Sequence, residues 1–243
     1  RYEGYTGGVP ELYQNPEQYA GKGTDWYGIL LEKNAPIKDI NLSITSNKDR
    51  FSSSLIAGYF DQKGSVLNTN FQRFSLRFNA EYKINDYIRV GGNVAPAYST
   101  GQNFNTDGNG QLIYTAITTS PILSPYNDDG SLKLNLSGPG LLTQPNWLRV
   151  LKERTYVGKT LRLLSNAYAE INFLKDFRFK TAVATDLTDL RTRTFNPSTT
   201  GIGSVFAPPP QIAAGSYNTS FITSWLTENT LTYTKKIGEH SIE

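Results

Sequence analysis

The chain has 243 residues, 38% of them hydrophobic and 19% charged, with a formal charge of +3. It contains no cysteine, which excludes disulfides, thiolate metal centres and cysteine nucleophiles. Lys and Arg are spread without a basic block, so nothing marks a nucleic-acid surface, and no run of about 18 apolar residues offers a membrane-crossing helix.

The 15 Tyr and 12 Phe suit pleated surfaces, and the 21 Gly and 12 Pro suit many turns. Residues 1–35 are rich in Gly, Pro and Tyr, with short helical candidates around 16–20 and 26–31. Strand candidates then come in pairs. Ile40, Leu42 and Ile44 alternate with Asn41, Ser43 and Thr45, residues 47–50 turn the chain, and 51–60 return with Phe51, Leu55, Ala57 and Tyr59 on one face.

After a connection over 61–70 comes the most regular segment. Phe74, Leu76, Phe78, Ala80, Tyr82 and Ile84 alternate with Arg73, Ser75, Arg77, Asn79, Glu81 and Lys83. An extended chain over 71–84 is about 45 Å long, against roughly 17–20 Å for an ordinary strand. Tilted by about 45°, it rises about 30 Å, enough to cross the apolar band of an outer membrane. Asn85-Asp86 supplies a tight turn, and Ile88, Val90, Val94 and Tyr98 carry the next apolar face.

The alternation breaks between about 100 and 157. Residues 111–120 suit a short helix, and Asn127-Asp128-Asp129-Gly130 suits a turn. Alternation resumes over 160–173, turns near Lys175-Asp176 and returns through Phe177, Phe179 and Val183. A second irregular stretch covers 192–218, a long strand covers 219–236, and Gly238-Glu239 turns into a final piece. Short turns thus alternate with long excursions, as in bacterial outer-membrane barrels with short periplasmic turns and long outer loops. About eight long strands of an all-β, antiparallel transmembrane barrel are expected.

Wording along the chain carries a family resemblance. Gly23-Thr24-Asp25-Trp26, Asn41-Leu42-Ser43-Ile44, Gly58-Tyr59-Phe60-Asp61-Gln62-Lys63-Gly64, Phe71-Gln72-Arg73-Phe74-Ser75-Leu76-Arg77-Phe78-Asn79 and Asn229-Thr230-Leu231-Thr232-Tyr233 resemble, in order, the SusC/RagA family of TonB-dependent outer-membrane transporters. The resemblance implies a 22-stranded barrel occluded by a plug. Residues 1–35 would end the plug region and lead into the barrel, and 36–243 would form its N-terminal part, with long loops at about 100–157 and 192–218. It also implies a SusD-like surface lipoprotein partner, energy from TonB through parts outside this stretch, contact with the remaining barrel and outer-membrane lipid, and import of glycans or peptides. Neither a leading Met nor a signal pattern is present, and both edges read as cuts inside a larger protein.

Arg73, Arg77, Glu81 and Lys83 are the candidate lumen-facing residues. Phe104, Tyr126, Trp147, Phe195 and Phe206 fall in or beside the long excursions and are candidates for stacking on a ligand or anchoring a partner. Catalysis has little support. Asp128 and Asp129 need only a turn, the single His240 cannot build a multi-histidine metal centre, and Gly108 and Gly110 lie in no phosphate-loop pattern. No cofactor is expected. The alternative reading is a soluble secreted β-sandwich or carbohydrate-binding module, whose apolar strand faces would meet across a dry core.

Overall fold

The computed structural model describes residues 14–15, 17, 20–21, 23–104, 112–138, 141–200, 209–238 and 240–242. In chain order the elements are α1 (Trp26–Leu30), β1 (Ile37–Lys48), β2 (Phe51–Lys63), β3 (Asn70–Lys83), β4 (Ile88–Gln102), α2 (Leu112–Thr118), β5 (Asn135–Leu136), β6 (Gln144–Pro145), α3 (Trp147–Glu153), β7 (Thr155–Phe173), β8 (Phe177–Asn196), β9 (Ala214–Tyr233), β10 (Lys235–Ile237) and β11 (His240–Ile242).

Local chemistry sets the turns. Asp49, Leu174 and Lys175 take positive φ at the β1–β2 and β7–β8 turns. Between β3 and β4 the Asn85 carboxamide accepts from the Tyr87 and Ile88 amides at 2.8 Å each. These tight reversals bring strands back antiparallel beside their sequence neighbours. The seven long strands therefore form one sheet in the order β1-β2-β3-β4-β7-β8-β9, every pair antiparallel. The expected eighth strand is only the short β11, which pairs with β10 in a separate ladder.

Register carries the alternation across the sheet. Ile40, Tyr59, Phe74, Tyr98 and Leu161 form one row over five strands. Phe78 stands between Leu55 and Val94. No second sheet covers this face among the described residues, and its rings stay bare: Phe74 is 52% exposed, Phe221 69% and Trp225 73%. The β-sandwich alternative is thereby corrected, because a sandwich would bury these rings against an opposing sheet.

The strands also run further than hydropathy shows. β7 begins at Thr155, β8 continues to Asn196 and β9 starts at Ala214, so the intervening stretches are 103–154 and 197–213. Above an apolar band neither face must be apolar, and the sequence signal fades while the backbone ladder continues.

The buried hydrophobic side chains lie elsewhere. Trp26 and Leu30 of α1, Val66 between β2 and β3, Ala116 of α2, and Trp147, Leu148, Val150 and Leu151 of α3 pack together with Leu123 and Leu136. α1 is capped by Asp25, whose carboxylate accepts from the Gly28 amide at 2.8 Å. It is tied to the 103–154 stretch by Trp26 Nε1 donating to the Ser120 carbonyl at 3.1 Å and by the Thr24 amide donating to the Pro121 carbonyl at 2.7 Å. Because Ile37 pairs with Gln62, the chain enters β1 from the end that carries the long connections.

Candidate functional site

The face opposite the bare aromatic one is polar. Strict alternation along β3 puts Arg73, Arg77, Glu81 and Lys83 on it together. Antiparallel register adds Arg89 and Asn93 from β4, Arg162, Asn166, Tyr168 and Glu170 from β7, and Arg178, Lys180 and Asp186 from β8. A barrel turns such a face toward its wet interior.

Two clusters organise this wall. Near the short turns, the Tyr168 hydroxyl donates to Glu81 Oε2 at 2.6 Å, Arg89 Nε lies 3.6 Å from Glu81 Oε1, and Lys180 Nζ stands 4.7 Å from the Tyr168 ring centroid. Tyr168 and Lys180 border a depression of about 490 Å³ also lined by Asn166, Glu170, Arg178 and Glu228. Higher up, Arg162 forms a two-point pair with Asp186 at 3.0 and 2.7 Å. Arg73 packs over the Phe60 ring at 5.8 Å, and Arg77 lines a second depression with Asn79, Asn93 and Asp186. The wall thus presents both charge signs within hydrogen-bonding reach of one another, suited to holding polar groups rather than to bond making.

Over the long-loop end sits the packed cap. The Asn146 amide donates to the Pro125 and Lys133 carbonyls at 2.7 and 2.9 Å, tying α3 to the preceding turns. Arg154 donates to the Thr200 carbonyl at 2.9 Å, joining the cap to the β8–β9 connection, and burial pushes its guanidinium down to about 10. It stays cationic at neutral pH. Glu153 accepts from Arg149 and from the Thr199 hydroxyl.

The candidate aromatics divide accordingly. Trp147 is only 3% exposed and fills the cap core, so its ring offers no face to a ligand. Phe104 packs partly against the same core. Tyr126, paired with Leu132 beside the Asn127–Gly130 turn, stays open to solvent, and Phe195 is exposed near the end of β8 on the apolar side of the sheet. Phe206, Gly108 and Gly110 lie outside the described residues, as does the His240 side chain. Asp129 accepts from the Ser131 hydroxyl and amide, which holds its carboxyl below the usual range and gives it a turn role. α3 has no counterpart in the sequence expectations, although Trp147, Leu148, Val150 and Leu151 carry the helical spacing that marks it.

A single-layered antiparallel meander with one bare apolar face, one polar face and a cap over one end is the wall of an outer-membrane β-barrel. No protein-family model matches the chain. It is 27% identical over 225 residues to TonB-dependent receptor P3 of Formosa agariphila, covering 90% of the chain and 22% of that protein. It is 24% identical over 240 residues to TonB-dependent receptor P26 of the same organism, covering 97% and 23%. Its fold matches the RagAB peptide transporter with a TM-score of 0.74 at 24% identity, over 89% of this chain and 24% of that one. The 'open-open' state of the RagAB peptide importer matches at 0.73. The chain is thus similar in sequence to TonB-dependent receptors and shares the barrel fold of the RagAB transporter. It spans about a quarter or less of the length of these relatives.

Proposed function

We propose that this chain supplies part of the wall and outer mouth of a transporter that imports an oligomeric nutrient, a glycan or a peptide, across the outer membrane. A SusD-like surface lipoprotein is the partner at the mouth, and TonB supplies energy through other parts of the protein. The polar wall is the cargo- or plug-facing surface, with Arg73, Arg77, Glu81 and Lys83 among its residues, and the cap with Tyr126 faces the exterior.

The observation that carries this reading is the separation of the two apolar sets. The large rings of the sheet are bare, while the buried core lies in the cap. Aqueous solvent disfavours such a bare face, and a lipid annulus stabilises it.

The test uses the full-length receptor in its own bacterium. Deleting its gene should abolish uptake of one class of labelled oligomer, oligosaccharide or oligopeptide, with the full gene restoring it and the lipoprotein co-purifying. Unchanged uptake of both classes, or recovery of the full-length protein from the soluble fraction, overturns the proposal.

A further inference from the structure

Charge on the lipid-side face is not scattered. From Phe177 upward, the outward positions of β8 are Phe177, Phe179, Thr181, Val183, Thr185 and Leu187, all uncharged; Asp189, Arg191 and Arg193 follow. On β7 the outward positions from Phe173 to Leu161 are likewise uncharged, and Lys159 comes next. Register puts Lys159 directly opposite Arg191. Charge therefore begins within one outward pair on the two strands, at Asp189 on β8, opposite Leu161, and at Lys159 on β7, opposite Arg191.

That level has a meaning in the membrane. Phe173 and Phe177 stack at 5.6 Å and Phe177 meets Tyr233 at 4.8 Å, making an aromatic girdle beside the short turns. From Phe177 to Arg191 is about 46 Å of strand, roughly 33 Å of height at the usual ~45° tilt. The apolar band of an outer membrane is about 25 Å tall. Lys159, Arg191 and Arg193 consequently stand just above it, where the outer leaflet carries its headgroups.

Two like charges facing each other across a strand pair repel. Asp189 offsets part of this by pairing with Arg191 at 2.6 Å, which leaves Lys159 and Arg193 as excess positive charge. Opposite Arg193 stands Tyr217, 62% exposed and of the amphipathic type that settles at headgroup level.

We propose that Lys159, Arg191 and Arg193, flanked by Tyr217, form a lipid-side binding site for the phosphate-bearing headgroup of an outer-leaflet glycolipid. An anionic phosphate offsets the excess positive charge of Lys159 and Arg193, and the Arg193 guanidinium gives it two-point hydrogen bonds beside the Arg191–Asp189 pair. The site rests on the membrane reading above but not on any particular cargo.

The test is to extract the full-length receptor from outer membranes in mild detergent and measure glycolipid per receptor by mass spectrometry. The variants are K159Q/R191Q/R193Q and, as a control on the polar wall, R178Q/K180Q. The lipid-side variant should lose at least about tenfold of its retained phosphorylated glycolipid, with the control unchanged. Inorganic phosphate at millimolar concentration should not displace the lipid. Equal retention by all three proteins, equal retention of dephosphorylated lipid, or full displacement by phosphate alone overturns the site. Shift of the folded band on unheated gels and membrane fractionation report insertion separately, so failure of the membrane reading itself would register there.

Discussion

The Tyr168 hydroxyl reaches Glu81 at 2.6 Å from β7 to β3, across the whole width of β4. It can do so because its cross-strand neighbour on β4 is Gly91. A Cβ at that position would stand 2.8 Å from the Tyr168 ring. One missing side chain therefore lets three strands share a hydrogen bond on the polar face.

Gly91→Val should displace the ring and destabilise the full-length receptor by about 1–3 kcal/mol, the usual cost of overpacking. Tyr168→Phe keeps the ring and loses only the donor, so about 1 kcal/mol is expected. Urea unfolding in lipid vesicles measures both. A Gly91→Val variant as stable as the parent would show that the contact does not constrain the sheet.

Leu76 and Phe78 project from the apolar face of β3, while Arg77 between them projects from the polar face. Replacing Leu76 or Phe78 by Arg should cost roughly 2–4 kcal/mol of stability in the membrane near the midplane. Arg77→Gln should insert normally. The assignment of faces fails if Leu76→Arg inserts normally while Arg77→Gln does not.

Trp26 fills the cap core and donates to Ser120. Trp26→Ala should cost about 3–5 kcal/mol locally, as for other large-to-small core changes. None of the buried core residues belongs to the seven-stranded sheet, so the loss should appear as faster protease cleavage within 112–151 of a barrel that still migrates as folded. Loss of the folded barrel band would instead show that cap and wall fold as one unit.

Lys33 lies between α1 and β1, at the long-loop end. The chain has no native cysteine, so Lys33→Cys offers a clean topological probe. It should react with an impermeant maleimide on intact cells, as should Asp129→Cys, whereas Asp86→Cys should react only after the outer membrane is opened. If Lys33→Cys is protected on intact cells, residues 24–36 approach from the periplasmic side, as expected of a lead-in from the plug.

The period-two alternation of β3 was legible because lipid on one side and water on the other impose opposite demands on successive residues. For the same reason Arg73, Arg77, Glu81 and Lys83 could be assigned to one face from their spacing alone. The outer ends of β7, β8 and β9 were not legible, since Lys159, Arg191 and Arg193 sit where neither face must be apolar. Trp147 misled in the other direction: an aromatic in a long excursion reads as a ligand contact until the partners that bury it are known.

By itself the sequence determined the class of this protein, an antiparallel membrane wall with short turns at one end and long excursions at the other, because alternation and turn chemistry are local properties. Only the tertiary structure decided which residues meet at a distance. The contact of Trp26 with Ser120, the reach of Tyr168 past Gly91 to Glu81, and the level shared by Lys159 and Arg191 all follow from strand register and loop packing. Those depend on contacts between segments far apart in the chain, which no local pattern encodes.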